Sequence, residues 1–359
     1  MTLCPFPFRG VMVKSDGNLT TCCYGQTIPG LHRTTHTIQQ AFNSTQFQTI
    51  RDNLANGIKD SNCQKCWDLE AQGIESLRQQ ELRTEEFDKD IYVSPRLEYL
   101  FLSLSNQCNL KCRTCSPVDS SYWIKEYEHK TGIKQIVYLE PNDSVFFSSF
   151  KTDTLPNLKE ISFVGGEPLM MKSVHRILEI LDPKVSLTFY TNGTFYNPSM
   201  FEKFTDVNIA VSIDGIDNRF EYMRHPAKWN LLTSNIALMG NNLKAITCTV
   251  SAYNVWYIDE VADFAKSLGV DFMAHILFDP SALSVLSLPY SIRLDIADKL
   301  SNHSDEQIQK IVDYLKTDSS NNWASFVNDV KQGDEYRNES FKDTFPEYYQ
   351  MLLSHDKTI

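Results

Sequence analysis

The sequence predicts an α/β fold in which a parallel sheet curls into a partial barrel. Between residues 94 and 280, short runs rich in β-branched and aromatic residues alternate with amphipathic stretches at helical spacing. Polar and glycine-containing motifs follow several of these runs, as expected where loops at the carboxyl ends of parallel strands form one functional face. Right-handed crossovers would curl six such β–α units into an open, TIM-type (β/α)6 barrel.

Six strands are predicted in this region, each a short apolar run bounded by polar or turn residues. The intervening helices have their own signals. Val174, Ile177 and Leu178 recur at helical spacing, and Gly269 is placed to end a later helix. The predicted strands are Leu97–Leu104, Glu160–Val164, Ser186–Tyr190, Asn208–Ile213, Ala245–Val250 and Phe272–Phe278.

The two regions that flank the predicted barrel have different patterns. Residues 1–93 predict a small cysteine-rich module with a short β-like start, a helix over Ile38–Asn56 and a Cys-x-x-Cys motif. Residues 283–359 predict a helical, aromatic-rich extension, in which FPEYYQMLL is either a helix over the barrel mouth or ordinary packing. The chain therefore divides into residues 1–93, 94–282 and 283–359.

Composition and charge exclude several classes of protein. The 359 residues are 42% hydrophobic, and no apolar run approaches the roughly 20 residues that span a bilayer. The start, MTLCPFPFRG, lacks the pattern of a signal peptide, so we expect a cytoplasmic protein with no membrane association. A net charge of −11 argues against extensive nucleic-acid binding, which depends on basic patches.

A loop after the first predicted strand carries Cys108, Cys112 and Cys115 in the pattern Cys-x3-Cys-x2-Cys. In a chain without secretion signals, clustered cysteines favour metal binding over disulfides. Three thiolates can hold three irons of a [4Fe–4S] cluster and leave the fourth iron open to a small ligand. The alternative is a zinc site, which usually has a fourth Cys or His nearby, and none is close here.

The segment SNQCNLKCRTC resembles the signature loop of the radical S-adenosylmethionine superfamily. One departure is Thr114, where many members have an aromatic residue beside the adenine. The resemblance implies that S-adenosylmethionine chelates the open iron of the cluster. One electron then breaks its carbon–sulfur bond, and the resulting 5′-deoxyadenosyl radical abstracts hydrogen from a substrate.

A second motif, Gly165-Gly166-Glu167-Pro168, follows the next predicted strand. Two glycines allow backbone to approach a ligand closely, and a carboxylate can accept hydrogen bonds from an ammonium group. Alone, GGEP is equally well a tight turn. Placed after the cysteine loop, it resembles the motif with which the superfamily binds the methionyl amine of S-adenosylmethionine.

Later strand ends supply Thr191, Asn192, Ser212 and Asp214, followed by Arg224. Hydroxyl, amide and carboxylate groups can bind ribose hydroxyls, and a guanidinium suits a carboxylate. The resemblance implies that Ser212 contacts the ribose and Arg224 the methionyl carboxylate. The competing interpretation is that these are turn residues and a surface charge.

The N-terminal region predicts a second metal site from Cys4, Cys22, Cys63 and Cys66. Four thiolates from two distant pairs suit either tetrahedral zinc or a fully ligated [4Fe–4S] cluster. The segment CPFPFRGVMVKSDGNLTTCC resembles the auxiliary-cluster modules called SPASM and twitch, which implies the cluster. Those modules usually follow the core, whereas this segment precedes it. Cys23 adjoins Cys22 and is an alternative ligand, although the Gly-x4-Cys interval favours Cys22.

Together, the resemblances imply an enzyme with S-adenosylmethionine and two [4Fe–4S] clusters as cofactors. Relatives with auxiliary clusters imply a peptide or a small molecule as substrate, and a reducing partner such as flavodoxin or ferredoxin. The alternative is a noncatalytic, zinc-stabilised binding protein. The GGEP and SIDG motifs and Arg224 argue against it, because a structural zinc protein needs no cofactor cradle.

Overall fold

The computed structural model describes residues 2–71, 73–84, 88–151, 154–317 and 322–355. These residues form two compact units. Unit one comprises residues up to 107 together with 137–190 and 197–208, and unit two comprises 108–136, 191–196 and the chain from 209 onward. The boundaries expected near residues 93 and 282 stay predictions, and residues 318–321 and 356–359 of the expected C-terminal extension lie outside the described residues.

All six predicted strands are present, with no end shifted by more than two residues, and the N-terminal region adds two more. This confirms the α/β class. In chain order the strands are β1 Gly10–Val13, β2 Leu19–Thr20, β3 Tyr99–Ser103, β4 Glu160–Val164, β5 Ser186–Thr191, β6 Val207–Ser212, β7 Leu243–Val250 and β8 Asp271–Ile276.

From β3 onward, α-helices separate consecutive strands and fill the C-terminal region, as the sequence predicts, except between β5 and β6, where the described chain forms only the short 3₁₀-helix Pro198–Phe201. In chain order they are α1 Phe6–Arg9, α2 Ile38–Phe42, α3 Thr45–Ala55, α4 Gln64–Ala71, α5 Leu77–Thr84, α6 Ile124–Thr131, α7 Ser144–Ser148, α8 Lys172–Ile180, α9 Asn218–Met223, α10 Trp229–Met239, α11 Ile258–Leu268, α12 Tyr290–Leu300, α13 Glu306–Leu315, α14 Trp323–Arg337, α15 Phe341–Thr344 and α16 Pro346–His355.

In unit one the strands lie in the order β2-β1-β3-β4-β5. The β1/β2 pair is antiparallel, and the other pairs are parallel. Leu100, Ile161 and Leu187 lie side by side in register and are fully buried, so one face of the sheet packs in the core. The carboxyl ends of β3 and β4 lead directly into the segment before the cysteine loop and into GGEP.

In unit two the strands lie in the order β6-β7-β8, and both pairs are parallel. The fully buried Val211 and Ile246 lie in register at the centre of this core. The segment FPEYYQMLL contributes to α16, where Tyr348 is fully buried and its hydroxyl donates to the Ala252 carbonyl at 2.8 Å. This segment therefore packs against the chain that follows β7.

The helix expected over Ile38–Asn56 is wrong in one respect, since the structure breaks it into α2 and α3. The break falls at Ser44, whose hydroxyl accepts a hydrogen bond from the Phe47 backbone N–H and caps α3. A serine satisfies a free backbone N–H at a helix start better than it stabilises a helix interior. The predicted stop at Gly269 is confirmed, with a left-handed φ of 70° after α11.

Candidate cofactor and cluster sites

Cys108, Cys112 and Cys115 lie on an irregular loop of unit two between β3 and α6. The loop is held by hydrogen bonds to its own backbone. The Trp123 indole donates to the Cys112 carbonyl at 2.7 Å, and the Cys115 N–H donates to the same carbonyl at 3.1 Å. Side-chain and turn contacts therefore fix a loop that has no helix or strand to support it.

Burial controls the protonation of these thiols. It raises the pKa of Cys112, an effect that Arg224 partly opposes, and it raises the pKa of Cys115 well above the ordinary value, assisted by repulsion from Cys112. Thiols in this environment are protonated when no metal is present. Thiolates are the form that binds metal, so iron that displaces these protons would supply the missing positive charge.

Arg224 lies beside the cysteine loop and is almost completely buried. Its Nη2 lies 2.9 Å from Oδ2 of the fully buried Asp214, and its Nη1 lies 3.9 Å from the Cys112 sulfur. The Nε is buried and has no hydrogen-bond partner in the described part of the chain. A buried guanidinium with an unused donor beside the cysteines fits a carboxylate-bearing ligand such as S-adenosylmethionine.

Asn192 also lies against the cysteine loop. Its side-chain amide donates to the side-chain oxygen Oδ1 of Asn109 at 2.9 Å and lies 3.8 Å from the Cys108 sulfur. Thr191 is buried, and its hydroxyl accepts a hydrogen bond from the Gly193 N–H at 3.1 Å. Asn109 was not predicted as a site residue. The only feature of the sequence that could have indicated it is its position directly after Cys108.

Ser212 lies at the end of β6 and remains partly accessible. Its hydroxyl accepts a hydrogen bond from the Thr247 hydroxyl of β7 at 3.1 Å. Asp214 follows two residues later, and its Oδ1 accepts the Thr249 backbone N–H at 2.8 Å. Asn192 and Arg224 thus lie beside the cysteine loop, and Asp214 pairs with Arg224. Thr191 and Ser212 lie at the ends of β5 and β6. Their roles as ligand contacts stay predictions.

The GGEP motif lies in unit one, and its glycines have left-handed φ angles of 74° for Gly165 and 45° for Gly166. A Cβ on Gly165 would lie closer than 3.0 Å to the Ser103 hydroxyl, and one on Gly166 would do the same to the Gln107 carbonyl oxygen. Both positions therefore require glycine. The requirement comes from the protein's own chain before the cysteine loop, whereas the sequence suggested close approach to a ligand.

Glu167 is fully buried directly after these glycines. Its N–H donates to the Gln107 carbonyl at 2.8 Å, and its carboxylate Oε1 accepts the Leu169 N–H at 3.1 Å. This bond caps the short 3₁₀-helix Pro168–Met170. The Glu167 carboxylate thus organises the loop that follows GGEP.

Unit one also contains a pocket in which the predicted auxiliary ligands converge. Cys22 lines this pocket, whereas the neighbouring Cys23 is exposed and does not. Arg78 closes one side; its guanidinium lies 2.7 Å from Glu70 and donates to the Leu3 carbonyl at 2.9 Å. The lining residues are Cys4, Phe6, Pro7, Thr21, Cys22, Tyr24, Cys63, Cys66, Leu77 and Arg78.

The thiols in this pocket interact with one another. Burial raises the pKa of Cys4 well above its ordinary value, and Cys22 and Cys63 raise it further. Burial raises the pKa of Cys22 to about 11 and also raises the pKa of Cys66. The four thiols line one pocket, and a bound metal centre would compensate the mutual repulsion of their thiolates.

Comparison with known proteins agrees with the site in unit one. Residues 4–67, which include all four cysteines of the unit-one pocket, match the family model of SPASM, an iron–sulfur cluster-binding domain. This part of the chain is therefore a SPASM-type module. The match favours an iron–sulfur cluster over the zinc ion that the sequence left as an alternative.

The curated relatives of this chain are distant. It is 26% identical to an uncharacterised protein of Methanocaldococcus jannaschii over 54% of this chain and 66% of the relative. It is 25% identical to GTP 3′,8-cyclase of Synechocystis over 48% of this chain and 51% of the relative. The chain thus spans less than two thirds of the length of each of these two relatives. The solved structure of native anSMEcpe with bound AdoMet shares 18% identity, with a TM-score of 0.41 over 57% of this chain and 60% of that one.

Within the described ranges, no helix combines the length and the apolar character that crossing a bilayer requires.

Proposed function

We propose that this protein reductively cleaves S-adenosylmethionine and uses the product to abstract hydrogen from a peptide or small-molecule substrate. In this proposal Cys108, Cys112 and Cys115 hold the [4Fe–4S] cluster that binds the cofactor. When bound and reduced, this cluster supplies the electron that breaks the cofactor's carbon–sulfur bond, and the adenosyl fragment leaves as 5′-deoxyadenosine after taking one hydrogen atom.

The position of Arg224 carries this proposal. A guanidinium held 2.9 Å from Asp214 and 3.9 Å from the Cys112 sulfur sits where the carboxylate of a ligand on the cluster would need a cation. Asp214 orients the guanidinium, and the free Nε is available to the ligand. Thr191, Asn192 and Ser212 are proposed contacts of the ribose hydroxyls, and Gly165, Gly166, Glu167 and Pro168 are proposed to receive the methionyl amine.

The second part of the proposal assigns Cys4, Cys22, Cys63 and Cys66 to the auxiliary [4Fe–4S] cluster. Four protein ligands leave no iron open, so this cluster would transfer electrons or stabilise the module and would not bind substrate directly. The choice of Cys22 over Cys23 is supported by the pocket, which Cys22 lines and Cys23 does not. The first electron would come from a reducing partner such as flavodoxin or ferredoxin.

The test uses a variant with Cys108, Cys112 and Cys115 all changed to Ala, reconstituted anaerobically and reduced with dithionite. We expect iron content to fall by about four per chain and 5′-deoxyadenosine, measured by mass spectrometry, to disappear. A Cys63→Ala/Cys66→Ala variant is the matched control, because it removes the other cluster and should keep some cleavage. Undiminished 5′-deoxyadenosine from a triple variant that lacks its iron would disprove the proposal.

A further inference from the structure

The residues between the cluster cysteines make contacts that the proposed function does not use. Arg113 lies between Cys112 and Cys115, yet its side chain is only 2% exposed. Its Nη2 lies 2.8 Å from Asp334 in α14 and 2.6 Å from Glu339 just after it. We call Arg113, Asp334 and Glu339 the Arg113 cluster.

Aromatic rings and backbone bonds complete the surroundings of Arg113. Its guanidinium lies 4.0 Å from the ring centre of Tyr222 and 5.7 Å from that of Tyr253. Its backbone N–H donates to the Met223 carbonyl at 2.7 Å. Met223 is the residue before Arg224. The same segment therefore supports the cysteine loop and carries the residue that is proposed to bind the methionyl carboxylate.

The helix α14 is shaped to receive this side chain. Gly333 is buried within α14, and a Cβ built on it would lie closer than 3.0 Å to Nη1 of Arg113. Glycine is otherwise unfavourable inside a helix, where alanine is the best residue. An added methyl group would push Nη1 of Arg113, and any shift of the guanidinium would have to change the ion pairs that its Nη2 makes with Asp334 and Glu339.

A second buried ion cluster fixes the other side of the loop. Glu126 of α6 is 1% exposed and lies 2.9 Å from Arg337 at the end of α14 and 3.0 Å from Lys111, the residue before Cys112. The Lys111 N–H donates to the His225 carbonyl at 2.8 Å. Both residues that flank Cys112 are therefore bonded to the segment around Arg224 and, through charges, to the C-terminal helices.

We propose that Arg113 is a positioning residue: its ion pairs with Asp334 and Glu339 hold the cysteine loop at the place where the cluster meets Arg224. The inference rests on the proposed function, since it assumes a cluster at Cys108, Cys112 and Cys115. It assigns the C-terminal helices a role that the motifs do not reveal. The cation also contributes to the field at an anionic cluster, whose potential depends on nearby charge.

The main test is Gly333→Ala, because this substitution favours the helix and harms the protein only if the Arg113 contact matters. Gln332→Ala is the matched control, since Gln332 is exposed on the neighbouring position of the same helix. Both full-length variants are reconstituted anaerobically, and the change in the electron paramagnetic resonance spectrum of the reduced protein is followed as S-adenosylmethionine is added. This change reports only on the cluster that binds the cofactor.

For Gly333→Ala we expect the S-adenosylmethionine concentration at half-maximal change to rise roughly tenfold, the effect of one lost charge-assisted hydrogen bond. Gln332→Ala should match the unmodified protein. Arg113→Met and Arg113→Lys provide a second route if Gly333→Ala does not fold. Both lose the planar fork of the guanidinium, but only Arg113→Met should lower the midpoint potential of this cluster, because it removes the positive charge.

The outcomes are distinguishable. If the unmodified protein shows no spectral response to S-adenosylmethionine, the proposed function fails, and the role of Arg113 fails with it. If the unmodified protein responds and Gly333→Ala behaves as Gln332→Ala does, only the role of Arg113 is overturned. Equal midpoint potentials in the unmodified protein, Arg113→Lys and Arg113→Met would also overturn it.

Discussion

The carboxylate of Asp214 lies 2.9 Å from the guanidinium of Arg224, and neither group has appreciable contact with solvent. The same carboxylate accepts the Thr249 backbone N–H, so it joins the end of β6, the neighbouring strand β7 and the guanidinium. Burying either charge alone would destabilise the protein. As a pair, the Asp214 carboxylate holds the Arg224 guanidinium beside Cys112. Asp214 is therefore the group that orients Arg224.

Asp214→Asn should weaken binding of S-adenosylmethionine roughly tenfold, because the amide keeps an oxygen for Thr249 but loses the ion pair that orients Arg224. Arg224→Ala should weaken it at least as much. Isothermal calorimetry on iron-loaded protein measures both, with Asp271→Asn, an exposed carboxylate of the same unit, as the control. Unchanged affinity in both Asp214→Asn and Arg224→Ala would contradict the assignment of the carboxylate contact.

Removal of Cys63 and Cys66 should lower iron content by about four per chain and spare part of the S-adenosylmethionine cleavage. Turnover of the true substrate should fall further than S-adenosylmethionine cleavage, because the auxiliary cluster is proposed to transfer electrons or to stabilise the module. Cys23→Ser is the matched control and should keep its iron, since Cys23 lies outside the pocket lining. One tightly bound zinc ion at this site in anaerobically purified protein would refute the auxiliary cluster and leave the radical core standing.

Gly166→Ala should destabilise the protein by more than Gly132→Ala, although both glycines have left-handed φ angles. A methyl group on Gly132 meets open space, so its cost is the conformational penalty of about 1–2 kcal/mol. On Gly166 the same group also collides with the Gln107 carbonyl, which is backbone and cannot rotate away. Urea unfolding gives both free energies, and equal losses would show that the close approach to Gln107 is relaxed.

Glu126→Gln should lower stability at pH 7 by about 3 kcal/mol, with a defined pH dependence. Burial opposes ionisation, but Arg337, Lys111 and Lys130 lower the pKa of Glu126 from 4.5 to about 2. A depressed carboxyl pKa stabilises the fold above the unfolded value, and this stability is lost as the pH falls toward 2.

The difference in unfolding free energy between the unmodified protein and Glu126→Gln should therefore be constant from pH 7 to about 5 and shrink below about 4.5. Urea unfolding at a series of pH values measures it. A difference that does not change down to pH 3 would mean that the carboxylate is not stabilised by these three cations.

Much of the fold was predictable because strand signals are local. The runs that form β3 to β8 are short, apolar and bounded by turns, so composition alone located them to within two residues. The broken helix at Ser44 was missed, because a serine within an otherwise helical pattern does not reveal whether it caps a new helix. The strand β1 was also underestimated, because its partner β3 is nearly 90 positions away in the chain and the pairing gives no local signal.

The residues of the candidate site also differ in how far the sequence predicts them. The cysteine loop, GGEP and the N-terminal cysteines were readable, because metal and cofactor binding requires particular residue types at short, fixed spacings. The pairing of Arg224 with Asp214 was only partly readable, since both were predicted as ligand contacts and their mutual contact was not.

The sequence by itself therefore determined the α/β class, the two cysteine sets and the cofactor they imply. Only the tertiary structure decided that Cys22 and not Cys23 lines the pocket, that the GGEP glycines are required by Ser103 and Gln107, and that Arg113 is buried. The physical reason is chain separation. Arg113 and Asp334 are 221 positions apart, and a charge pair at that distance leaves no pattern in the sequence until folding brings the two side chains to 2.8 Å.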